Sequence, residues 1–473
     1  MRLSRVVLVF IFSIGCSAAS AQQTLSLSEA IAIGLKNNFD IQIQQLDLEM
    51  ARKNNTWGQA GRYPTISFNS NQNNSLLQRK PANPFAVPGR SISDNLNGQL
   101  DAQFILFDGF SINLTKERLG QLEELSYGNS AFIIESVVQG IALAYYQALL
   151  DRENLNVLEK NLAYSKERYE FVQLRKELGS AITFDVLQEQ NNYLTDSANV
   201  LRQEIVYRNT VRNLNVLLSD SLDHHWVFSD SLYYQGENYS LSEMRERMVR
   251  SNTNLKNQYI NQELLRNNTK LRQSDLYPTI SLNVGANGSL DRLNANFRSS
   301  DGPEQKNTIG YVNDDVAFPV IQTSNQTQFV NQSINGNSYG AYANLGLRWT
   351  LFNGRQIKRS IENAQIEEKI GTLTTNQLKL SLENDLLATY DLYNLRRQLV
   401  NIATEKEEAA VLNLDLANVR YRNGALSAID LRIVQENARN AAIEKSLAIF
   451  ALITSRTELL RLTGGIIDLY PVE

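Results

Sequence analysis

Two long stretches of this sequence resemble each other closely enough to be copies. The segment Tyr63–Asn69 (YPTISFN) recurs 214 positions later as Tyr277–Asn283 (YPTISLN). The tetrapeptide Leu106–Gly109 (LFDG) recurs 245 positions later as Leu351–Gly354 (LFNG). Repeat units in solenoids are only roughly 20–50 residues long. The sequence therefore predicts a protein built from two related halves rather than an array of short units.

The two shifts differ by 31 positions (245 against 214), so the second copy carries an insertion between its Tyr-Pro segment and its Leu-Phe segment. After the Leu-Phe segment the copies align without a gap, which pairs Tyr145 with Tyr390 and Gly179 with Gly424. Insertions are tolerated best in surface loops. We therefore expect the enlarged element to be a loop, while both copies share one plan around it.

The beginning of the chain has the pattern of a secretory signal peptide. Arg2 and Arg5 form a basic start, residues 6–14 are apolar, and residues 19–21 (ASA) provide a cleavage site. A lipoprotein, cut between Gly15 and Cys16 and acylated on Cys16, is the alternative interpretation. Ser13 stands where such lipoprotein sites usually have leucine, so we expect plain cleavage after Ala21.

Cys16 is the only cysteine, so disulfides contribute nothing to the fold of a chain cut after Ala21. The expected organisation is a signal peptide at 1–21, a first repeat at 22–218, a connector at 219–238, a second repeat at 239–463 and a tail at 464–473.

Composition excludes several classes of protein. Beyond the signal no apolar run reaches 18 residues, so we expect no transmembrane helix. A net charge of −4 argues against a general nucleic-acid binder. The only two histidines, His224 and His225, are adjacent, so they cannot form a helical metal pair, and we expect both to be exposed linker residues. Without a triad or a phosphate-binding loop, the sequence predicts no enzyme and no cofactor.

Four short segments alternate strictly between apolar and polar residues, as strands with one apolar face do. They lie near residues 65–69, 96–104, 279–286 and 341–350. The apolar face could line the core of a soluble sandwich or contact lipid in a transmembrane barrel. Four strands cannot close a spanning barrel, which needs about eight, so a barrel would require several protomers.

The segments between the paired strands are polar. Residues 72–95 and 288–338 are rich in Asn, Ser, Gln and Gly, and we expect both to be solvated loops. The second of them contains the insertion.

A long helix is predicted after each Leu-Phe segment, because no proline occurs before Gly179 or Gly424. About 70 helical residues would extend about 105 Å, at ~1.5 Å per residue. Each helix has two apolar stripes with a seven-residue spacing. In the first copy they comprise Ile134, Ile141, Ala148, Leu155, Leu162 and Tyr169, and Leu143, Leu150, Val157, Tyr164 and Phe171. In the second they comprise Leu386, Tyr393, Val400 and Leu414, interrupted by Glu407, and Ala388, Leu395, Ile402, Ala409 and Leu416.

Two stripes on opposite flanks predict a neighbouring helix on each side, as in the wall of a hollow cylinder. A flat helical sheet or a filament would satisfy the same pattern.

The ordered, duplicated motifs resemble the outer-membrane efflux channel family named for TolC. The motifs are the opening Leu25–Ala30 (LSLSEA), the Tyr-Pro-Thr-Ile-Ser segment, the Leu-Phe-Asp-Gly segment, residues 179–187 (GSAITFDVL), and residues 420–424 (RYRNG) followed by Asp430. The resemblance covers nearly the whole mature chain. It implies an α+β membrane protein of a Gram-negative bacterium, located in the outer membrane and extending into the periplasm.

The resemblance further implies a homotrimer in which four strands per protomer form a 12-stranded transmembrane β-barrel in outer-membrane lipid. The long helices would continue it as a 12-helix α-helical barrel, with the connector and tail forming a belt around it. The implied partners are a periplasmic adaptor (membrane fusion) protein and an inner-membrane pump of the RND or ABC type.

The family's periplasmic gate lies at the helix tips, which places it at Gly179 and Gly424 in this chain. The resemblance implies that Asp430 lines the constriction and that Tyr421 bonds to Asp185. It also implies that the adaptor docks at the two glycine turns. The sequence alone favours a simpler interpretation, in which Asp185 and Asp430 are N-cap or first-turn carboxylates of the returning helices, and both interpretations can hold together.

This chain departs from the family pattern at two gate positions. Ile433 replaces a second ring carboxylate, and Leu426 replaces a basic latch residue. We therefore expect a single acidic ring, with closure by packing of Leu426, Ile429 and Ile433.

The functional prediction is a passive exit duct of a tripartite efflux system for small toxic compounds. An exit channel for type I protein secretion is the alternative within the same class. A periplasmic coiled-coil structural protein without a pore is the alternative from a different class.

Overall fold

The computed structural model describes residues 24–83, 86–234, 236–314 and 316–469. The predicted signal peptide, with Cys16, lies outside the described residues, as do the last four residues of the tail. The chain forms two compact units. We call them the helical unit (up to Lys53, Gln121–Leu264 and from Glu368 onwards) and the sheet unit (Asn54–Gly120 and Leu265–Glu367).

The elements alternate between helices and strands in an order that repeats. They are, in chain order, β1 (Thr24–Leu25), α1 (Leu27–Asn37), α2 (Phe39–Asn54), β2 (Thr65–Arg79), β3 (Gly89–Asp108), α3 (Ser111–Glu177), α4 (Thr183–Leu218), β4 (Val227–Phe228), α5 (Leu241–Ser251), α6 (Thr253–Ser274), β5 (Thr279–Ser299), β6 (Glu304–Tyr311), a 3-10 turn (Val312–Asp314), β7 (Pro319–Asn325), β8 (Gln328–Arg348), α7 (Gln356–Arg422), α8 (Ala428–Leu462) and α9 (Ile466–Leu469).

The two long helices confirm the prediction from the proline-free stretches. Helices α3 and α7 each contain 67 residues. By length and composition alone, α3 is also apolar enough to cross a membrane, which we did not expect from its sequence. Half of the most apolar 18-residue stretch of α3 is buried within the protomer. Ile141, Ala142 and Tyr145 of α3 lie in the core of the helical unit, which accounts for this apolar character.

A pair of asparagines shows that the copies share detailed structure. The side-chain amide of Asn38, between α1 and α2, donates to the carbonyl oxygen of Leu217 at 3.0 Å. Asn252, between α5 and α6, donates to the carbonyl oxygen of Leu462 at 2.9 Å. The asparagines are related by the 214-residue shift and the leucines by the 245-residue shift. Each repeat therefore ties its first helix pair to the end of its own returning helix.

The connector packs into the core of the helical unit. Strand β4 pairs in parallel with β1, which brings Phe228 beside Leu25. Trp226 and Phe228 are buried in the same apolar cluster as Tyr145. The predicted connector thus contributes to the core, because it supplies these large apolar side chains.

The connector also corrects one prediction about the histidines. His225 is exposed, as expected, but His224 is half-buried. Its ring stacks on Trp226 with centroids 3.8 Å apart, and its Nδ1 lies 2.6 Å from Asp220 Oδ2. The expectation of an exposed linker was wrong for His224 because the nearby aromatic residue draws it towards the core.

The sheet unit contains a four-stranded antiparallel sheet with the strand order β2-β3-β5-β8. The register aligns the apolar residues of neighbouring strands, and the polar residues alternate with them. One apolar cross-strand row contains Phe68, Leu100, Ala286 and Ala341, and the adjacent polar row contains Ser67, Asp101, Gly285 and Tyr342. The predicted alternation of the four segments is therefore confirmed.

The prediction that the two polar stretches are loops is partly wrong. Strands β2 and β3 extend through most of residues 72–95, and β5 and β8 extend far into residues 288–338. The alternating apolar pattern stops there although the backbone pairing continues, because ladder hydrogen bonds do not require apolar side chains. The insertion contains longer strands and an additional hairpin, β6–β7, rather than an irregular loop.

The helix stripes differ between the two copies in how far the protomer covers them. In α3, Ile141, Ala148 and Leu150 are buried. In α7 one stripe is covered, with Leu386 and Tyr393 buried, but the other is exposed. Its residues Leu395, Ile402 and Leu416 are 51%, 60% and 57% exposed.

A further exposed stripe, which we did not predict, lies on α4. It consists of Leu187, Leu194 and Leu201, again seven residues apart. Large apolar surfaces of this kind mark interaction sites.

Candidate functional site at the helix tips

The two tip turns have the same backbone geometry. Gly179 and Gly424 have φ values of +75° and +76°. After α3, the Ser180 N–H donates to the Arg175 carbonyl at 2.8 Å and the Gly179 N–H donates to the Lys176 carbonyl at 2.9 Å.

After α7 the bonds are equivalent. The Ala425 N–H donates to the Arg420 carbonyl at 2.8 Å, and the Gly424 N–H donates to the Tyr421 carbonyl at 2.9 Å. This pair of bonds is the Schellman helix end, which requires a left-handed residue and hence favours glycine. Both glycines therefore reverse the chain as predicted.

Asp430 lies in the first turn of the second returning helix, where it takes part in the capping of α8. Ser427 is the N-cap of α8, and its hydroxyl accepts from the Asp430 N–H at 3.1 Å and donates to Asp430 Oδ2 at 2.7 Å. A carboxylate in the first turn also complements the helix dipole. The side chain is exposed in the protomer. The capping interpretation therefore holds, and it leaves the carboxylate accessible to solvent.

Asp185 makes only one of the two capping hydrogen bonds at the start of α4. Its Oδ2 accepts from the Ile182 N–H at 3.2 Å. The N-cap of α4 is Ile182, which has no side-chain oxygen with which to return the bond. The start of α4 is therefore capped less completely than the start of α8.

Tyr421 lies beside Phe171, with ring centroids 6.2 Å apart in an edge-on arrangement. Burial raises the pKa of Tyr421, and the nearby carboxylate of Glu189 raises it further. The phenol therefore stays protonated at neutral pH and can donate a hydrogen bond.

The apolar gate candidates differ in their surroundings. Leu426 packs with Tyr421 against a small cluster that contains Leu414 and Leu431. Ile429 and Ile433 are exposed in the protomer. The structure thus brings Tyr421 and Leu426 together and leaves the two isoleucines on the surface.

Behind the tips lies a buried polar network that the sequence patterns did not reveal. Arg432 of α8 forms a two-pronged ion pair with Asp196 of α4, with Nη1–Oδ2 and Nη2–Oδ1 distances of 2.6 and 2.9 Å. Arg432 Nη1 also lies 3.2 Å from the hydroxyl oxygen of Ser165 on α3. Three helices are therefore joined around one guanidinium.

Arg168 of α3 forms the second part of this network. Its Nε donates to Glu189 of α4 at 3.1 Å, and its Nη1 donates to Gln435 of α8. Burial lowers the pKa of Arg168, and the Glu189 carboxylate opposes that shift. Periodicity cannot reveal such a network, because its members look like surface residues until three helices meet.

No group of three or more metal-ligating side chains occurs in the part of the chain that the structure describes.

Comparison with known proteins supports the resemblance. The family model described as "Outer membrane efflux protein" matches residues 31–219. No curated protein matches the sequence. The CmeC outer membrane channel of Campylobacter jejuni is 14% identical with a TM-score of 0.70, and the match covers 93% of this chain and 85% of that one.

Two further solved structures are similar. The outer membrane protein VceC of Vibrio cholerae is 13% identical with a TM-score of 0.67, and the match covers 93% of this chain and 96% of VceC. The open state of the MtrE outer membrane channel of Neisseria gonorrhoeae is 16% identical with a TM-score of 0.62, covering 93% and 89%. At these identities the structures establish the fold.

The comparisons confirm the predicted resemblance, since the matched family is described as an outer membrane efflux protein and the matched structures are outer-membrane proteins and channels. The family match spans most of the first repeat, and the solved channels share the fold of both repeats. In the sequence of residues 31–219 and in its fold, the chain is similar to outer membrane efflux proteins.

Proposed function

We propose that this chain is the exit duct of a tripartite efflux system, a passive channel through which an inner-membrane pump expels small toxic compounds. The proposal rests on the exposed apolar surface that the protomer leaves on both of its units. A protein whose sheet and helices both expose ordered apolar faces is incomplete as a soluble monomer.

The sheet supports a shared barrel. Ile66, Phe68, Leu345 and Leu347 of the apolar face are all exposed. In a closed barrel such a face contacts lipid while the alternate polar face contacts water. Four strands per protomer would close a 12-stranded barrel in a trimer. Gly285 lacks a side chain where the Tyr342 ring crosses it to reach Asp101, which orders the polar face.

The helices support a threefold assembly. The stripe of Leu395, Ile402 and Leu416 on α7 and the stripe of Leu187, Leu194 and Leu201 on α4 are two different surfaces. A contact between two different surfaces is heterologous and closes into a ring when the rotation permits. Three protomers would then form a helical tunnel of 12 helices. The two repeats, residues 22–218 and 239–463, would alternate around the tunnel. The segments 219–238 and 464–473 would form a belt around it.

We propose that the gate of the channel lies at the tips of the long helices. Three exposed Asp430 carboxylates around the axis would attract cations, as acidic rings in other channels do. Tyr421 would donate a hydrogen bond to Asp185 in the closed state, and Leu426 and Ile433 would supply apolar closure. The turns at Gly179 and Gly424 would contact the helical hairpins of a periplasmic adaptor, with an RND or ABC pump below.

The experiment is conductance of the detergent-purified protein in planar lipid bilayers. We expect small, cation-preferring steps for the wild type. Asp430→Ala should weaken the cation preference, and Tyr421→Phe should enlarge the steps. Asp391→Ala, which removes an exposed carboxylate in the middle of α7, is the matched control and should leave both properties unchanged. Absence of steps from every variant would contradict the duct, and unaltered steps in Asp430→Ala would place the gate elsewhere.

The assembly is tested separately. Ile402→Glu should convert the trimer to monomers in native gels, because it introduces a charge into the exposed stripe. Asn401→Glu, the adjacent exposed position, is the control and should remain trimeric. A monomeric wild type would overturn the threefold assembly.

A further inference from the structure

A cavity of about 460 Å³ lies in the helical unit beside the tips. Tyr164, Arg168 and Phe171 of α3 line one side, and Asn418 and Tyr421 of α7 line the other. Small-molecule sites usually have volumes of roughly 300–1,000 Å³. The cavity is therefore large enough for a compact organic ligand.

Three of the nine residues that line the cavity are aromatic, namely Tyr164, Phe171 and Tyr421. Phe171 meets Tyr421 edge-on, and the guanidinium of Arg175 lies 6.0 Å from the centre of the Phe171 ring. Tyr164 and Phe171 are 40% and 39% exposed, so part of each ring is accessible to a ligand. Aromatic faces arranged around a cavity favour a flat apolar ligand, because rings pack on one another in edge-on or offset geometries.

The polar groups of the cavity are mainly donors. Arg168 is only 5% exposed, its Nε and Nη1 are bonded to Glu189 and Gln435, and its Nη2 is buried without a hydrogen-bond partner among the described residues. A buried donor without an acceptor costs free energy. Tyr421 adds a protonated hydroxyl.

The carboxylate that lines the cavity is already engaged. Glu167 pairs with Arg422 at 2.8 Å, and both side chains are largely exposed. The inner part of the cavity therefore presents donors, and an occupant with acceptor oxygens complements it.

We propose that this cavity binds a small aromatic carboxylate. The ring of the ligand would pack against Tyr164 and Phe171, and the carboxylate would accept hydrogen bonds from Arg168 and Tyr421. Charge-assisted bonds between a guanidinium and a carboxylate are among the stronger hydrogen bonds in proteins. This binding needs no conduction, so it stands or falls independently of the proposed duct.

The test is isothermal titration calorimetry of the full chain in detergent with 2-naphthoate, corrected by a titration into detergent alone. We expect saturable binding of one molecule per chain. The cation 2-naphthylmethylammonium, which has the same ring system, should not bind. Asn418→Phe should abolish binding of 2-naphthoate by filling the cavity, and Arg168→Gln should weaken it at least about tenfold, as the loss of a hydrogen bond to a charged group does.

Asn413→Phe is the matched control, because Asn413 is an exposed residue of α7 that does not line the cavity. It should bind 2-naphthoate as the wild type does. Because Arg168→Gln leaves Glu189 unpaired and could prevent folding, the comparison of Asn418→Phe with Asn413→Phe decides the question. No saturable heat with the wild type would overturn the proposal. Equal binding by Asn418→Phe, or equal binding of the cation, would also overturn it.

Discussion

The hydroxyl of Tyr145 donates to the carbonyl oxygen of Leu25 at 2.9 Å, at the start of the first repeat. The hydroxyl of Tyr390 donates to the carbonyl oxygen of Tyr239 at 3.1 Å, at the start of the second. The tyrosines are related by the 245-residue shift and their acceptors by the 214-residue shift. Each long helix is thus bonded to the beginning of its own repeat.

Tyr145→Phe should lower the free energy of unfolding more than Tyr390→Phe does. Tyr145 is fully buried and its hydroxyl also lies 2.7 Å from Asp230 Oδ2, so its loss removes one donor from each of two acceptors. The Leu25 carbonyl keeps its bond from the Ser229 N–H, and Asp230 Oδ2 keeps its bond from the Leu27 N–H. A hydrogen bond to a charged group contributes about 1.5–3 kcal/mol. Tyr390 is only partly buried, so water can replace its hydroxyl. Denaturant unfolding monitored by circular dichroism measures the free energy of unfolding of both variants, and equal losses of that free energy would contradict the argument.

Arg432→Met should destabilise the helical unit strongly. Its partner Asp196 is 1% exposed, so the substitution leaves a buried carboxylate without its cation. Breaking a buried ion pair in this way costs about 3–5 kcal/mol.

Arg422→Met is the control for Arg432→Met. The Arg422–Glu167 pair is largely exposed, and such pairs contribute about 0–1 kcal/mol. The same denaturation experiment compares the two, and a similar loss from each would show that the network behind the tips is not a stabilising element.

Gly179→Ala and Gly424→Ala should each destabilise the protein by about 1–2 kcal/mol, because alanine is strained at a left-handed φ. A Cβ at either position would meet no atom within 4 Å, so the cost is confined to the backbone. Gly310→Ala is the matched control, since Gly310 has the same free space but no positive φ. Thermal unfolding measures all three, and a loss at Gly310 equal to that at the tips would count against backbone strain.

Glu135→Gln should stabilise the helical unit at neutral pH. Burial raises the pKa of Glu135 above its usual 4.5, although Thr253 donates a hydrogen bond to it at 2.6 Å. A carboxyl group whose pKa is higher in the folded than in the unfolded state contributes stability that is fully present below the unfolded pKa. This stability is lost as the pH rises through the folded pKa. The wild type should therefore gain stability on acidification from neutral pH toward that range, and Glu135→Gln should gain less.

Glu458 provides the opposite case for the same measurement. Hydrogen bonds from Arg461 lower its pKa, so its contribution is present above the unfolded pKa and is lost as the pH falls through the folded value. Glu458→Gln should accordingly lose stability at neutral pH. Melting temperatures of the three proteins from roughly pH 4 to pH 8, which spans the ordinary carboxyl pKa values and neutrality, would show both signs. Parallel curves would contradict the assignment.

Much of the fold follows from patterns that are local in the sequence. The duplicated motifs define the two halves, and the absence of proline defines the two 67-residue helices. Strand alternation identifies the apolar face of the sheet, because successive side chains point to opposite sides. Gly179 and Gly424 were recognisable because a tight helix end requires a left-handed residue. Each of these features depends on neighbouring residues, which is why the amino-acid order suffices to predict it.

Other features arise only when distant segments meet. Polar residues 72–79 continue β2, His224 stacks on Trp226, and Arg432 pairs with Asp196. The folded chain also sets which apolar stripes the protomer covers and which it leaves exposed. No local pattern marks these partners, since a charged side chain is driven to pair only where folding removes it from water.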